Sequence, residues 1–174
     1  SRNAATVTLE NVKVSGEAIL GAEGGGKAIL EKTLDIGRIC LSAELLGLTQ
    51  EAFDRTMNYL KERKQFGVNI GSFQALQHRA ADMYCEIELC ISTVLKGLQM
   101  IDEGKDIKEI ASLTKAKVGQ VAQLVTNEAV QMFGGIGMTD DEEIGFFMKR
   151  ARVAQQTLGD ANYHMHRFAQ LKGF

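Results

Sequence analysis

The chain has 174 residues, of which 45% are hydrophobic and 24% charged; this fits one globular domain with a sizeable apolar core and excludes a disulfide-stapled miniprotein. Its 20 basic and 22 acidic residues leave a net charge of -2, too little positive charge for a surface that neutralises a nucleic-acid backbone. No apolar run approaches the roughly 18–20 residues that cross a bilayer, so no membrane span is expected. Proline is absent, and because proline breaks helix interiors and punctuates loops, long helices with short connections are expected. Cys40, Cys85 and Cys90 are odd in number and lack metal-ligand spacing, which fits structural thiols in a reducing compartment.

The opening Ser1-Arg2-Asn3-Ala4 resembles a cloning scar, and the sequence reads as a piece of a longer chain. Residues 6–14 alternate apolar and polar through Val7/Leu9 and then Val12/Val14, which predicts one or two short strands left over from a larger sheet. After Gly24-Gly25-Gly26 the period lengthens to about 3.6. Residues 27–61 are apolar on two faces, through Leu34, Leu41, Leu45 and Leu48 and through Ile36, Ile39 and Leu46, the pattern of a helix in the middle of a bundle. A second helix is expected over residues 71–103 on the stripe Phe73, Leu76, Ala80, Met83, Ile87, Cys90, Val94 and Leu98. A third runs over 107–133 and stops at Gly134-Gly135. Thr139 with Glu142 has capping-box spacing and is expected to open a short helix over 140–151, and a last helix covers 160–171. The expected fold is all-α: an antiparallel bundle of long helices over residues 22–174, preceded by the end of a truncated β-domain over residues 1–21.

Several motifs carry less than they promise. Gly21-Ala-Glu-Gly-Gly-Gly26-Lys27-Ala28 approaches a phosphate-cradling loop, but Ala28 stands where a hydroxyl must hold Mg²⁺. No Glu-x-x-His pair supports a di-iron bundle, and no metal site is expected. His164 and His166 are two apart on a helix and are read as surface or cap histidines. Two segments resist a purely structural reading. Arg63-Lys-Gln65-Phe66-Gly67 with Phe73-Gln74 combines a planar cationic fork, amides and flat apolar area, while Gln131-Met-Phe-Gly134-Gly135-Ile-Gly allows close backbone approach.

These motifs, with Leu34-Asp35-Ile-Gly37-Arg38 and Met148-Lys-Arg-Ala-Arg152 in order along the chain, resemble the C-terminal helical domain of acyl-CoA dehydrogenases. The resemblance covers residues 6–167. It implies an FAD-dependent oxidoreductase of fatty acid metabolism that converts an acyl-CoA thioester to the trans-2-enoyl product and passes electrons to an electron-transfer flavoprotein. It also implies an oligomer, homomeric or with another acyl-CoA dehydrogenase subunit, in the cytoplasm or, in a eukaryote, the mitochondrial matrix; the cytoplasm is preferred. By the resemblance, Arg63, Gln65, Phe66, Phe73, Gln74, Gln131, Gly134, Gly135, Asp160 and Asn162 are FAD contacts, and Asp35, Arg38 and Gly159 lie near acyl-CoA.

The catalytic base is where the sequence departs. Leu158 occupies the position at which most members carry the glutamate, and Gly37 occupies the alternative position on the first long helix. Asp160 is the nearest substitute. Two functions follow: an acyl-CoA dehydrogenase whose base comes from Asp160 or a partner subunit, or a catalytically silent subunit that scaffolds an active one.

Overall fold

The computed structural model describes residues 5–174, so the Ser1–Ala4 segment lies outside the described residues. Five α-helices account for most of the chain: α1 (Gly26–Glu62), α2 (Gln74–Asp102), α3 (Lys108–Phe133), α4 (Ile144–Gln156) and α5 (Ala161–Leu171). Between α1 and α2 lies a hairpin of β1 (Lys64–Gln65) and β2 (Val68–Asn69), antiparallel, with Lys64 opposite Asn69.

Side-chain partners define how the helices run. Arg79 pairs with Glu128, Lys117 with Glu86, and Thr114 donates to the Thr93 carbonyl, so later residues of α3 meet earlier ones of α2 and the two are antiparallel. The rings of Tyr59 and Phe133 stack at 4.2 Å, while Asp35 and Ser112 share the guanidinium of Arg167. α1 and α3 therefore run parallel, with their C-termini at one end of the bundle. The principal core cluster joins Leu41, Leu45 and Leu46 of α1, Met83, Ile87 and Cys90 of α2, Val118, Val121 and Val125 of α3, and Ala151 and Ala154 of α4.

The helix at the centre is α3, not α1 as the sequence pattern suggests. It packs against α1, α2, α4 and α5. Its buried face is rich in small residues, Ala111, Ala116, Gly119, Ala122 and Ala129, so four neighbours approach closely. The leucine face of α1 is covered only in part: Leu30, one turn before Leu34, is 58% exposed.

Three further expectations are corrected. Residues 5–14 form no strand, and Val7, Leu9, Val12 and Val14 are exposed; a strand needs a partner for its backbone groups, and none among the described residues pairs with this segment. The Thr139 capping box does not form, because the Thr139 hydroxyl turns back to the Ile136 carbonyl at 2.7 Å. The helix starts later, at Ile144, and Glu143 reaches Arg55 of α1 at 2.7 Å instead. His164 is not a surface histidine; it is fully buried. Cys90 is buried, and burial pushes its thiol up to about 11, whereas Cys40 and Cys85 are exposed.

Candidate active site

Two groups of predicted site residues lie at opposite ends of α1. At its C-terminal end, Arg63 caps the helix with its amide on the Tyr59 carbonyl. The β1–β2 hairpin then turns through Phe66 at φ +55° and Gly67 at φ +81°. Two successive left-handed residues make the tight turn that suits the strand twist, but the first is a phenylalanine, which pays a steric cost there. Phe66 is 91% exposed and meets Phe73 edge-on at 6.1 Å. The Tyr59–Phe133 stack draws the α3 C-terminus alongside, where Gly134 takes φ +69°. A Cβ on Gly134 or Gly135 would meet nothing within 4 Å, so the backbone here is open. Among the described residues Arg63, Gln74 and Gln131 are exposed and hold no side-chain hydrogen bond or ion pair; Gln65 bonds only to the Lys64 carbonyl. This end thus presents a guanidinium, free amides, exposed aromatic edges and bare glycine backbone, a donor set that fits one edge of a flavin nucleotide.

The other group surrounds the turn between α4 and α5. Leu158 adopts φ +61° and Gly159 φ +103°. A Cβ on Gly159 would lie 2.5 Å from Tyr163 Cδ1 and 2.9 Å from His164 Nε2, so glycine is required there. A Cβ on Gly37 would lie 3.2 Å from Leu158 Cδ1. Gly37 on α1 and Leu158 in the α4–α5 turn, far apart in sequence, therefore face each other. They share a cleft of about 290 Å³ with Cys40, Leu41, Glu44 and Thr157.

The turn is held from three sides. Lys115, fully buried, donates from Nζ to the carbonyls of Ala154 (3.2 Å), Gln155 (2.9 Å) and Gly159 (2.8 Å). The last carbonyls of α4 lack intrahelical partners, and the ammonium caps two of them. His164 donates from Nε2 to the Leu158 carbonyl at 3.0 Å, and Arg38 reaches the same oxygen from Nε at 3.4 Å. Since that carbonyl only accepts, the imidazole carries its proton on Nε2; Nδ1 is buried without a partner. Burial pushes the imidazole down to about 4.

Asp35 and Arg38 are present but enclosed. Asp35 is 1% exposed, its carboxylate held by Arg38 at 2.7 Å and by both guanidinium nitrogens of Arg167 at 2.9 and 3.0 Å. Asp160 serves as the N-cap of α5, its Oδ1 accepting from the Tyr163 amide at 2.8 Å. It lines a different cleft, with Gly119, Gln123, Arg152, Gln155 and Asn162.

Sequence reasoning missed Lys115, His164 and Arg167. For Lys115 there was a signal: Ala111, Lys115, Val118, Ala122, Val125 and Ala129 form one three-and-four-spaced stripe, with a lysine at a core position. Nothing local marks His164 or Arg167, whose partners lie on other helices.

The family model for the acyl-CoA dehydrogenase C-terminal domain matches residues 24–171. The chain belongs to the acyl-CoA dehydrogenase family. It is 34% identical over 164 residues to the mitochondrial short/branched chain specific acyl-CoA dehydrogenase of Rattus norvegicus, covering 94% of this chain and 38% of that protein. Butyryl-CoA dehydrogenase from Megasphaera elsdenii superposes with a TM-score of 0.90 at 34% identity, over 95% of this chain and 43% of that one. A structure described as PigA with FAD and proline gives 0.84 at 27%, covering 88% and 40%. The chain therefore spans about two fifths of the length of these relatives, and its fold is that of the family's helical domain. FAD is the cofactor of this acyl-CoA dehydrogenase family.

Proposed function

We propose that this chain is the helical part of an FAD-dependent acyl-CoA dehydrogenase that introduces an α,β double bond into an acyl-CoA thioester. The observation that supports this most is the cleft where Gly37 faces Leu158: both positions used for the base in this family converge on one space. In this reading Arg63, Gln74 and Gln131 bind the flavin nucleotide by charge-assisted and amide hydrogen bonds, and Phe66 and Phe73 cover it from water. FAD, when bound, supplies the hydride acceptor. Gln65, Gly134 and Gly135 line the same edge, and Asp160 and Asn162 a second one.

Asp35 and Arg38 act on acyl-CoA through the turn they support. Their network fixes α1 against α5, and Arg38 holds the Leu158 carbonyl. The α-proton must go to a carboxylate within about 2.6–3.2 Å, and Leu158 cannot accept it. The second reading, a silent subunit paired with an active one, is favoured by that leucine, held in a turn with three separate clamps.

The electron-transfer flavoprotein is the proposed electron acceptor, and the proposed location is the cytoplasm or mitochondrial matrix; among the described residues no helix is long and apolar enough to cross a membrane. The test is enoyl-CoA formation with a one-electron dye acceptor, using full-length protein alone and mixed with candidate partner subunits. Turnover by the homomeric protein supports the enzyme; turnover only in the mixture supports the silent subunit. No turnover in either, with FAD and acyl-CoA both bound, removes the first reading.

A further inference from the structure

We infer that Lys115 is a positioning residue of this site, beside His164 and Arg38: its ammonium fixes the backbone at Gly159 and, through it, the place of residue 158 against Gly37. The inference rests on the reading of that cleft as the acyl-CoA base position, and it concerns what holds the position rather than what occupies it.

Lysine is among the residues least often buried completely, and when buried it normally meets a carboxylate. Lys115 is fully buried and its three hydrogen bonds all go to backbone carbonyls, two on the last turn of α4 and one beyond it at Gly159. An ammonium has three donors, so all three are used on two sides of the turn. The turn itself is not relaxed. Leu158, a γ-branched residue, sits at φ +61°, a conformation costing about 1 kcal/mol or more that persists only when its surroundings impose it. The α4 carbonyls could have been capped by any donor at the helix end; only a group reaching across from α3 ties Gly159 to the same point.

A neutral amine has two hydrogens and no charge, so deprotonation removes one of the three bonds and weakens the others. Burial holds the Lys115 ammonium down to about 8. The charged or titratable groups facing it are Arg38 from α1, and Asp160 and His164 from α5 and its cap. Of these Asp160 alone favours the ammonium. The clamp therefore weakens as pH rises through the Lys115 transition.

The test uses the 174-residue chain labelled for NMR. In the wild type, the Lys115 Nζ signal and the Gly159 carbonyl carbon should titrate with one midpoint near pH 8, while the Val121 carbonyl in mid-α3 stays flat. The contact between a Leu158 δ-methyl and the Gly37 α-protons should fade over the same range. In Lys115→Met the step at Gly159 and the Leu158–Gly37 contact should both be absent. The Thr157 and Gly159 amides, which bond to Val153 and Gln156, should exchange about 10- to 100-fold faster, the range expected for losing hydrogen bonds to a charged group.

A Gly159 carbonyl that does not follow Lys115, or a Leu158–Gly37 contact that persists above pH 9, overturns the inference, and either can be read in the wild type even if Lys115→Met fails to fold. Unchanged exchange in a folded Lys115→Met does the same. These readouts involve no acyl-CoA. Full-length protein that binds no acyl-CoA would remove the proposed function, while an intact titration would still support the clamp.

Discussion

At the scale of single residues, the proposed function makes the pair Gly37 and Leu158 decide which substitutions can supply a base. Glutamate at 158 occupies space that leucine already fills, beside a glycine that leaves room. Leu158→Glu in full-length protein is therefore expected to raise dehydrogenation by about 10²–10⁴-fold, the usual contribution of a general base, where FAD and acyl-CoA are bound. Gly37→Glu alone should gain much less, because its Cβ would stand 3.2 Å from Leu158 Cδ1; the double variant Gly37→Glu/Leu158→Gly makes the room. Dye-linked rates of the three variants check this, and equal gains from the two single variants would contradict it. His164 gives a second expectation. Burial pushes its imidazole down to about 4 in the fold against about 6.5 for a free histidine, so between those values the unfolded chain binds a proton that the folded one refuses. Stability is then full above pH 6.5 and falls as pH drops toward 4, by about 3 kcal/mol. His164→Gln should flatten that slope in urea titrations at pH 7 and pH 4.5; an unchanged slope would assign the acid sensitivity elsewhere.

The elements show where local chemistry is decisive and where it is not. The end of the third helix was legible because a glycine marks it: the helix stops at Gly134, whose φ of +69° ends it. The β1–β2 hairpin was not expected from the sequence, since a two-residue turn beginning with phenylalanine runs against turn preferences. Replacing Phe66 with Gly should stabilise the 174-residue chain by about 0.5–1 kcal/mol, by relieving a left-handed side chain. The same change should weaken FAD in the full-length protein, because it removes the exposed ring. Thermal unfolding and flavin titration separate the two effects; a loss of stability would mean that the Phe66–Phe73 contact outweighs the backbone strain. The segment over 5–14 has strand alternation without strands, since alternation describes two faces and only a neighbouring strand can satisfy the backbone between them.

For the whole molecule, the decisive dimension is the length of α1. Gly37 and Arg63 are 26 residues apart, about 39 Å at the helical rise of 1.5 Å per residue. On the proposed function, the flavin end and the base cleft of one chain are thus too far apart to converge on the same reacting atoms. That spacing supports an oligomer in which neighbouring copies complete each other's sites. The exposed Leu30, Leu89, Leu95 and Tyr84 provide apolar surface for it. Light scattering of the 174-residue chain at high concentration should show a dimer or tetramer; a strict monomer that also binds no apolar dye would contradict this. Purified alone, the chain should lack stoichiometric flavin, because it carries about two fifths of its relatives' length and only an edge of the site. An absorbance spectrum with about one flavin per chain would overturn that.

The sequence by itself determined the helical class, the extents of the long helices and the absence of a carboxylate at positions 37 and 158. Each of these is written locally, in periodicity, glycine placement or residue identity. Only the tertiary structure decided that α3 is the central helix, that His164 is buried, that Asp160 caps α5, and that Lys115, His164 and Arg38 hold one turn. These depend on which distant backbone groups meet. A carbonyl at Gly159 and a lysine 44 positions earlier become partners through the packing of α3 against α4 and α5, a relation that no window along the chain contains.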